Sequence, residues 1–326
     1  MSALYIVTGG TGFIGSALVR KLVGLGRNVR VVDNDLRGSR ARLADVADRI
    51  ELVQADVRDE AAMIEAGRGG TMMVHLAALN GTENFYNRPE LVLDVGIRGM
   101  YGALASAREN GITDFILASS SEAYQTPPVI PTPEDVPLLI PDPWNPRYSY
   151  GGGKLISEIM LANFNRDVHK RAIIFRPHNV YGADMGWEHV IPQLVKRAQE
   201  ATAAAPAGEP VPFEIQGDGT QTRAFVHIDD FLDGLLLMMD SGVHRTVYHI
   251  GNDEEVTIRE LVEMIFAYLG REAKLVSTDA PVGGTQRRSP DITRLRGLGY
   301  APGIGLRDGL PAVIDWYLQN AKRDAA

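Results

Sequence analysis

Residues 8–15 read Thr8-Gly9-Gly10-Thr11-Gly12-Phe13-Ile14-Gly15, and they separate two unlike stretches of chain. Before them, Leu4 to Val7 is an apolar run of strand length; after them, Ile14 to Val23 carries apolar residues at helical spacing. Strand, glycine turn and helix in that order form a receptor for a pyrophosphate. Gly9 permits the tight turn, Gly12 lets the phosphates approach the backbone, and Gly15 lets helix and sheet pack closely. The helix N-terminus, opened by Phe13 and Ile14, faces the anion. The next strand, Val29 to Val32, ends on Asp33, followed by Asn34. A carboxylate at that point accepts both ribose hydroxyls of NAD and repels a 2′-phosphate. Arg37 stands close by and works in the opposite sense, but Asp33 decides the expectation: the cofactor is NAD.

Outward from this turn the same rhythm repeats. Ile50 to Val53, Met72 to Leu76, Phe115 to Ala118 and Ala172 to Phe175 read as further strands, with a helical segment from Leu91 to Glu109. Strands alternating with helices predict an α/β fold, a doubly wound parallel sheet covered on both faces. We expect residues 1–176, with a return segment at about 224–252, to form the dinucleotide-binding lobe. Residues 177–223 and 253–326 then form a smaller, irregular substrate lobe. In it Thr257 to Leu269 reads as an amphipathic helix with Thr257 as N-cap and Gly270 as stop, and Leu306 to Gln319 as another helix. Ala201 to Pro212, rich in Ala, Pro and Gly, reads as a surface loop.

Composition narrows the partners. The 326 residues carry 33 basic and 41 acidic side chains, net −8, which disfavours nucleic acid as the main ligand. Cysteine is absent and the seven histidines show no ligand spacing, so no metal centre is expected. No stretch reaches the roughly 20 apolar residues of a membrane span, and the N-terminus runs straight into a strand. A cytoplasmic protein with no membrane partner is the expectation.

Tyr150 and Lys154 form Tyr-x-x-x-Lys, one helical turn apart on one face. An ammonium beside a phenol, together with a cationic nicotinamide ring, lowers the phenol's pKa and makes it a base for an alcohol proton. Upstream, Ser119-Ser120-Ser121-Glu122-Ala123-Tyr124 follows the fifth strand directly, at the carboxyl end of the sheet where ligands bind. With these pieces in order, the chain resembles the extended short-chain dehydrogenase/reductase family, in its nucleotide-sugar epimerase, dehydratase and decarboxylase branch. The resemblance runs nearly end to end. It takes in residues 8–15, Asp33, Ala55-Asp56-Val57-Arg58-Asp59, His75-Leu76-Ala77-Ala78, Tyr150/Lys154, Arg176-Pro177-His178-Asn179-Val180-Tyr181-Gly182, and Gly217 to Arg223. It implies Asp56 and Val57 at the adenine, Leu76, Ala77 and Ala78 along the cofactor, and Lys154 on the nicotinamide ribose. It implies Ser120 sharing the substrate proton with Tyr150. It places Asn179, Arg223 and Arg288 on a sugar-nucleotide diphosphate, and Thr82, within Asn80 to Phe85, near the sugar. It also implies a homodimer, for which Leu91, Val95, Tyr101, Leu155, Ile159 and Met160 supply apolar faces.

Three segments depart from the family pattern: Gly96-Ile97-Arg98-Gly99-Met100 in place of Asn-Val-x-Gly-Thr, Ala123-Tyr124-Gln125 in place of Val-Tyr-Gly, and Gly151-Gly152-Gly153 inside Tyr-x-x-x-Lys. Three glycines weaken a helix start by about 1 kcal/mol each, which points to a close approach by a ligand or a neighbouring backbone. Family members first oxidise C4 of the sugar. The fate of the 4-keto sugar then depends on extra acid–base groups, and Glu122 is the informative one. It leans the expectation towards an NDP-hexose 4,6-dehydratase, with 4-epimerisation second and UDP-glucuronate decarboxylation third. A non-catalytic NAD-binding redox sensor is the alternative from another class, disfavoured by the presence of both Tyr150 and Lys154.

Overall fold

The computed structural model describes residues 3–279 and 285–321. Its first half is the expected alternation: β1 (Leu4–Thr8), α1 (Phe13–Gly24), β2 (Asn28–Asp33), β3 (Glu51–Gln54), α2 (Glu60–Ala66), β4 (Met72–His75), α3 (Thr82–Asn87), α4 (Pro89–Asn110), β5 (Asp114–Ala118), α5 (Ser149–Asn163) and β6 (Arg171–Pro177). Then come β7 (Val180–Tyr181), α6 (Val190–Ala204), β8 (Val211–Gln216), β9 (Thr222–Ala224), β10 (Val226–His227), α7 (Ile228–Ser241) and β11 (Thr246–Ile250). The chain closes with β12 (Glu255–Thr257), α8 (Ile258–Tyr268), β13 (Ala273–Thr278), β14 (Arg287–Arg288), α9 (Thr293–Arg296) and α10 (Leu306–Asn320).

Seven strands form one sheet in the order β11-β6-β5-β4-β1-β2-β3, and all its pairings are parallel. The order reverses between β1 and β4, where Thr8 lies opposite both Val32 and His75. A ligand cleft opens outside the carboxyl ends of the strands at such a reversal. Strands buried on both faces need apolar residues throughout, and Ile6, Val7, Val31, Val32, Met73, Val74, Phe115, Ile116 and Leu117 are all fully inside. Each such side chain contributes about 1.5–3 kcal/mol through burial, so the sheet is a stiff floor for the cleft.

The remaining strands build smaller sheets. β8 pairs with β13 and β7 with β10. β9 lies between β12 and β14. Around them α6, α8 and α10 enclose a separate core that includes Tyr181, Leu194, Phe213, Ile265, Phe266, Val313 and Tyr317. Thr257 caps α8 as expected: its hydroxyl accepts from the Glu260 nitrogen at 3.0 Å while Glu260 accepts from the Thr257 nitrogen at 2.7 Å. The reading of Ala201 to Pro212 as a loop is corrected. α6 runs to Ala204 and β8 begins at Val211, leaving only the six residues between them outside an element. Alanine is the best helix former, so an Ala-rich stretch continues a helix until Pro206 ends it.

Candidate active site

The turn at residues 8–15 has the geometry its glycines imply. Gly9 sits at φ 71°, and a Cβ there would come within 2.8 Å of the Ala77 nitrogen. A Cβ on Gly15 would stand 2.1 Å from the Gly9 carbonyl oxygen, so the third glycine serves the closure of the turn itself. Among the described residues beyond its chain neighbours, only that same oxygen lies within 4 Å of a Cβ added at Gly12, at 3.2 Å. The space above the middle glycine is therefore open to a pyrophosphate. α1 begins with no side-chain cap and no acidic residue in its first turn, leaving its backbone N–H groups for an anion.

Asp33 accepts from the Thr11 nitrogen at 3.0 Å and the Asp35 nitrogen at 2.9 Å. Each oxygen keeps a further lone pair for a ribose hydroxyl. Arg37 does not turn towards it: its guanidinium pairs with Glu188 and donates to the Asn80 carbonyl, across the cleft. Asn34 donates to Asp56 at 2.9 Å. Hydrogen bonds from Arg58 hold the Asp56 carboxyl down at about 2. Gly9, Gly12, Phe13, Ile14, Gly15, Asp33, Asn34, Asp56, Val57, Leu76, Ala77 and Ala78 all line one cleft of about 450 Å³. Open glycine, unclaimed helix N-terminus and free carboxylate lone pairs together fit NAD.

Ser120, Glu122, Tyr150, Lys154, Asn179, Arg288 and Thr82 continue the same wall. Tyr150 and Lys154 project from α5, both buried, and Lys154 Nζ donates to the Ala118 carbonyl at 2.7 Å. Burial pushes the Tyr150 phenol up to about 12, and Glu122 adds to the rise; a hydrogen bond with Ser120 and the charge of Arg37 act against it. Lys154 stands on the same helix face as Tyr150, where the sequence reading expects it to lower the phenol's pKa together with the nicotinamide ring. The ammonium is itself pulled down by burial to about 8, and it lies 5.6 Å from the centre of the Tyr150 ring, bound to β5. Phe85, inside the Asn80–Phe85 segment, stacks on Tyr150 with ring centres 5.0 Å apart and planes 13° apart. An aromatic residue three past Thr82 was the available signal for that contact.

The sugar end is built from arginines. Arg288 Nη1 donates to Glu122 Oε1 at 2.6 Å. Burial alone would raise the Glu122 carboxyl, but Arg288, with Arg147 and Arg223, overcomes it and holds the group below its ordinary value. Arg223 is pulled to about 10 by burial and by its neighbours Arg288 and Arg147. It is not on the cleft wall, unlike the other expected residues. Its Nη1 donates to the Thr222 carbonyl at 2.7 Å. Asn179, at φ 41°, commits one amide hydrogen to the Ala224 carbonyl at 2.9 Å. Arg147, which the sequence reading did not single out, precedes α5 in the turn Pro146–Tyr148, and its Nε is buried with no hydrogen-bond partner among the described residues. Its signal was a cation three residues before the tyrosine.

Two of the departures now have physical reasons. Gln125 takes φ 55°, the left-handed conformation that glycine adopts freely, and its side chain donates to the Glu122 carbonyl at 2.5 Å. A Cβ on Gly151 would stand 2.7 Å from that same carbonyl oxygen, whereas Gly152 and Gly153 have ordinary room. One of the three glycines is demanded by a close backbone approach.

The sequence pattern of the NAD-dependent epimerase/dehydratase family matches residues 5–251. A dTDP-4-dehydro-6-deoxy-D-allose reductase of Streptomyces bikiniensis is 30% identical over 97% of both chains. A UDP-glucuronic acid decarboxylase of Arabidopsis thaliana is 30% identical over 95% of this chain and 68% of its own. The crystal structure of DesIV, a dTDP-glucose 4,6-dehydratase of Streptomyces venezuelae with NAD bound, superposes with a TM-score of 0.85 at 29% identity and 98% coverage of each chain. The chain belongs to the NAD-dependent epimerase/dehydratase family of nucleotide-sugar enzymes, and NAD is its cofactor.

Proposed function

We propose that this protein oxidises C4 of a nucleotide-diphospho sugar and acts on the resulting 4-keto sugar. We propose further that a sugar carrying a C6 carboxylate suits the site best and leaves carbon dioxide. Bound NAD supplies the hydride acceptor at C4 and the donor for its return. Tyr150 takes the C4 hydroxyl proton, Ser120 shares it, and Lys154 holds the ribose. The high pKa of the buried phenol favours the neutral form, so the base acts only when the cationic ring is beside it. Proton loss is thereby coupled to hydride departure.

The observation that carries the finer reading is the positive charge around Glu122: Arg288 is hydrogen-bonded to it, and the charges of Arg147 and Arg223 act on it as well. A dehydratase needs an acid for the departing C6 hydroxyl. Glu122, held as the anion, is a poor donor, and Ser121 stands where a glucose-type dehydratase carries an acid. A uronate needs no such acid. With C4 a ketone, the C5–C6 bond breaks, its electron pair passes into the C4 enolate, carbon dioxide leaves, and C5 takes a proton. Binding the substrate needs cations beyond those spent on the diphosphate, and Arg147, whose Nε has no hydrogen-bond partner among the described residues, is proposed as one. Dehydration, first in the sequence reading, moves behind decarboxylation on this argument.

The test is product mass after incubation with UDP-glucuronate, UDP-glucose, dTDP-glucose and GDP-mannose. Loss of carbon dioxide from the uronate is the expected result. Loss of water from a hexose would restore the dehydratase, unchanged mass with altered retention would make the enzyme an epimerase, and bound NAD without turnover would leave a sensor. The same reading includes a homodimer through α4 and α5, where Tyr101 is 43% and Ile159 54% exposed; Val95 is buried within the monomer and takes no part. Light scattering at micromolar concentration should give about twice 35.5 kDa.

A further inference from the structure

Behind the reacting groups lies a polar network that the proposed chemistry does not use. Glu158 follows Tyr150 and Lys154 on α5 at the same four-residue spacing, so the three share one helix face. Its carboxylate is inside the protein, 7% exposed, and is gripped from two sides. Arg176 of β6, itself 4% exposed, forks onto it with Nε at 2.8 Å and Nη2 at 2.6 Å. Ser119, adjacent to Ser120, donates its hydroxyl to Glu158 Oε1. Arg176 is anchored in turn by the Tyr124 hydroxyl and by the Glu134 carbonyl at 2.9 Å, and Tyr124 meets His249 Nε2 at 2.7 Å. A buried bidentate pair is a costly way to gain stability, since apolar side chains of similar volume serve as well. A group that must be charged at a fixed place is a different matter.

We propose that Glu158 is a positioning residue that keeps Lys154 an ammonium, its own charge fixed one turn along α5 by Arg176 and Ser119. Resting on the assignment of Lys154 to the cofactor ribose, this extends it: the catalytic pair becomes a column, Tyr150, Lys154, Glu158, clamped at its base. Burial draws Lys154 down to about 8 and Glu158 is the group that opposes the fall. The other groups around the ammonium offer no substitute. From α5 itself Tyr150 is a neutral phenol, from β4 His75 is held neutral by burial at about 3, and from β5 the Ala118 carbonyl and Ser119 carry no charge. Arg176 from β6 is bonded to Glu158, and Tyr124 is bonded to Arg176.

The sign is fixed. Without the Glu158 charge the lysine loses its proton at lower pH, so Glu158→Gln should move its midpoint down by about one pH unit. Glu158→Asp, which changes shape but keeps charge, should leave it near that of the native protein. A purely structural role demands the reverse, because Gln is the closer fit. Lys154 is read directly in protein labelled with 13C-lysine, following its Cε resonance from pH 6 to 10 with Lys154→Arg for assignment; no turnover is needed. Since Glu158→Gln strands a buried guanidinium, the double variant Glu158→Gln/Arg176→Gln is titrated as well. A downward shift in the folded double variant supports the proposal, and an unmoved midpoint overturns it. A midpoint that moves while the alkaline limb of kcat/KM stays put would keep the Glu158–Lys154 coupling and remove Lys154 from the proposed reaction, so the two readings fail separately.

Discussion

The two ends of the cleft are built by opposite means. The cofactor end is mostly backbone: a left-handed glycine, a helix N-terminus without a cap, and the ends of β1, β2 and β4, all within the first 78 residues. The sugar end is side chain. Its carboxylate, Glu122, stands 166 residues before its partner Arg288, and Arg147 and Arg223 arrive from two further segments. Backbone receptors cannot be retuned by single substitutions, because a changed side chain leaves the N–H groups in place. Side-chain receptors can. One fold can thus keep NAD while its members divide among reactions.

Tyr150 sits where the two ends meet, and the largest effect is expected there. Tyr150→Phe should lower turnover by about 10² or more, the scale of a lost general base, while calorimetry finds NAD affinity and NDP affinity within a factor of about three of the native values. Retained turnover would remove the Tyr/Lys assignment.

At the cofactor end, Gly15→Ala forces a carbon to within 2.1 Å of a backbone oxygen that cannot withdraw. A loss of about 1–3 kcal/mol in unfolding free energy is expected, the usual cost of overpacking. The contrasting change is Gly24→Ala, at the end of α1, where an added Cβ meets nothing within 4 Å among the described residues beyond its own turn, and which should stabilise by about 0.5–1 kcal/mol. Equal effects at the two glycines, measured by urea unfolding, would contradict a turn closed on itself.

Arg147→Leu tests the sugar end. It removes a cation and its unpartnered Nε together. KM for the uronate should rise about tenfold, roughly 1.4 kcal/mol, with kcat changed little and NAD affinity not at all. A KM that rises equally for neutral hexoses would assign Arg147 to the diphosphate instead.

The same contrast explains what the sequence could tell. The glycine turn, Asp33, Tyr150/Lys154 and the six strands of the first half were legible because their signals are local, in spacing and periodicity. Arg147 was not, since a cation before a helix has no meaning until folding brings Arg223 and Arg288 beside it. Phe85 needed the Tyr150 ring for the same reason. β11 was absorbed into an unspecified return segment, because a short strand at a sheet edge is recognised only by its neighbour β6. Burial, which raises the Tyr150 phenol and lowers the Lys154 ammonium, is a property that adjacency along a helix does not contain.

The smallest expected effect is at Glu122, and its sign separates the reactions. Glu122→Gln takes one negative charge from a cluster of three guanidiniums, so an anionic sugar should bind more tightly and KM for the uronate should fall. Turnover should drop only by the equivalent of a hydrogen bond, about 0.5–1.5 kcal/mol, as Arg288 loses the oxygen that orients it. If Glu122 is instead the C5 base of a dehydratase, C4 oxidation survives the substitution and the next step does not. NADH absorbance would then accumulate in a single turnover while product formation stalls. Stability gives an independent check on the charge state. A carboxyl held below its ordinary pKa contributes stability above that ordinary value, and the contribution is lost as pH falls through the lowered one. Glu122→Gln should therefore narrow the gap between the native protein's stability at pH 7 and at pH 3. An unchanged gap would mean that the arginines do not hold Glu122 as the anion, and the argument against it as the acid for a C6 hydroxyl would go with them.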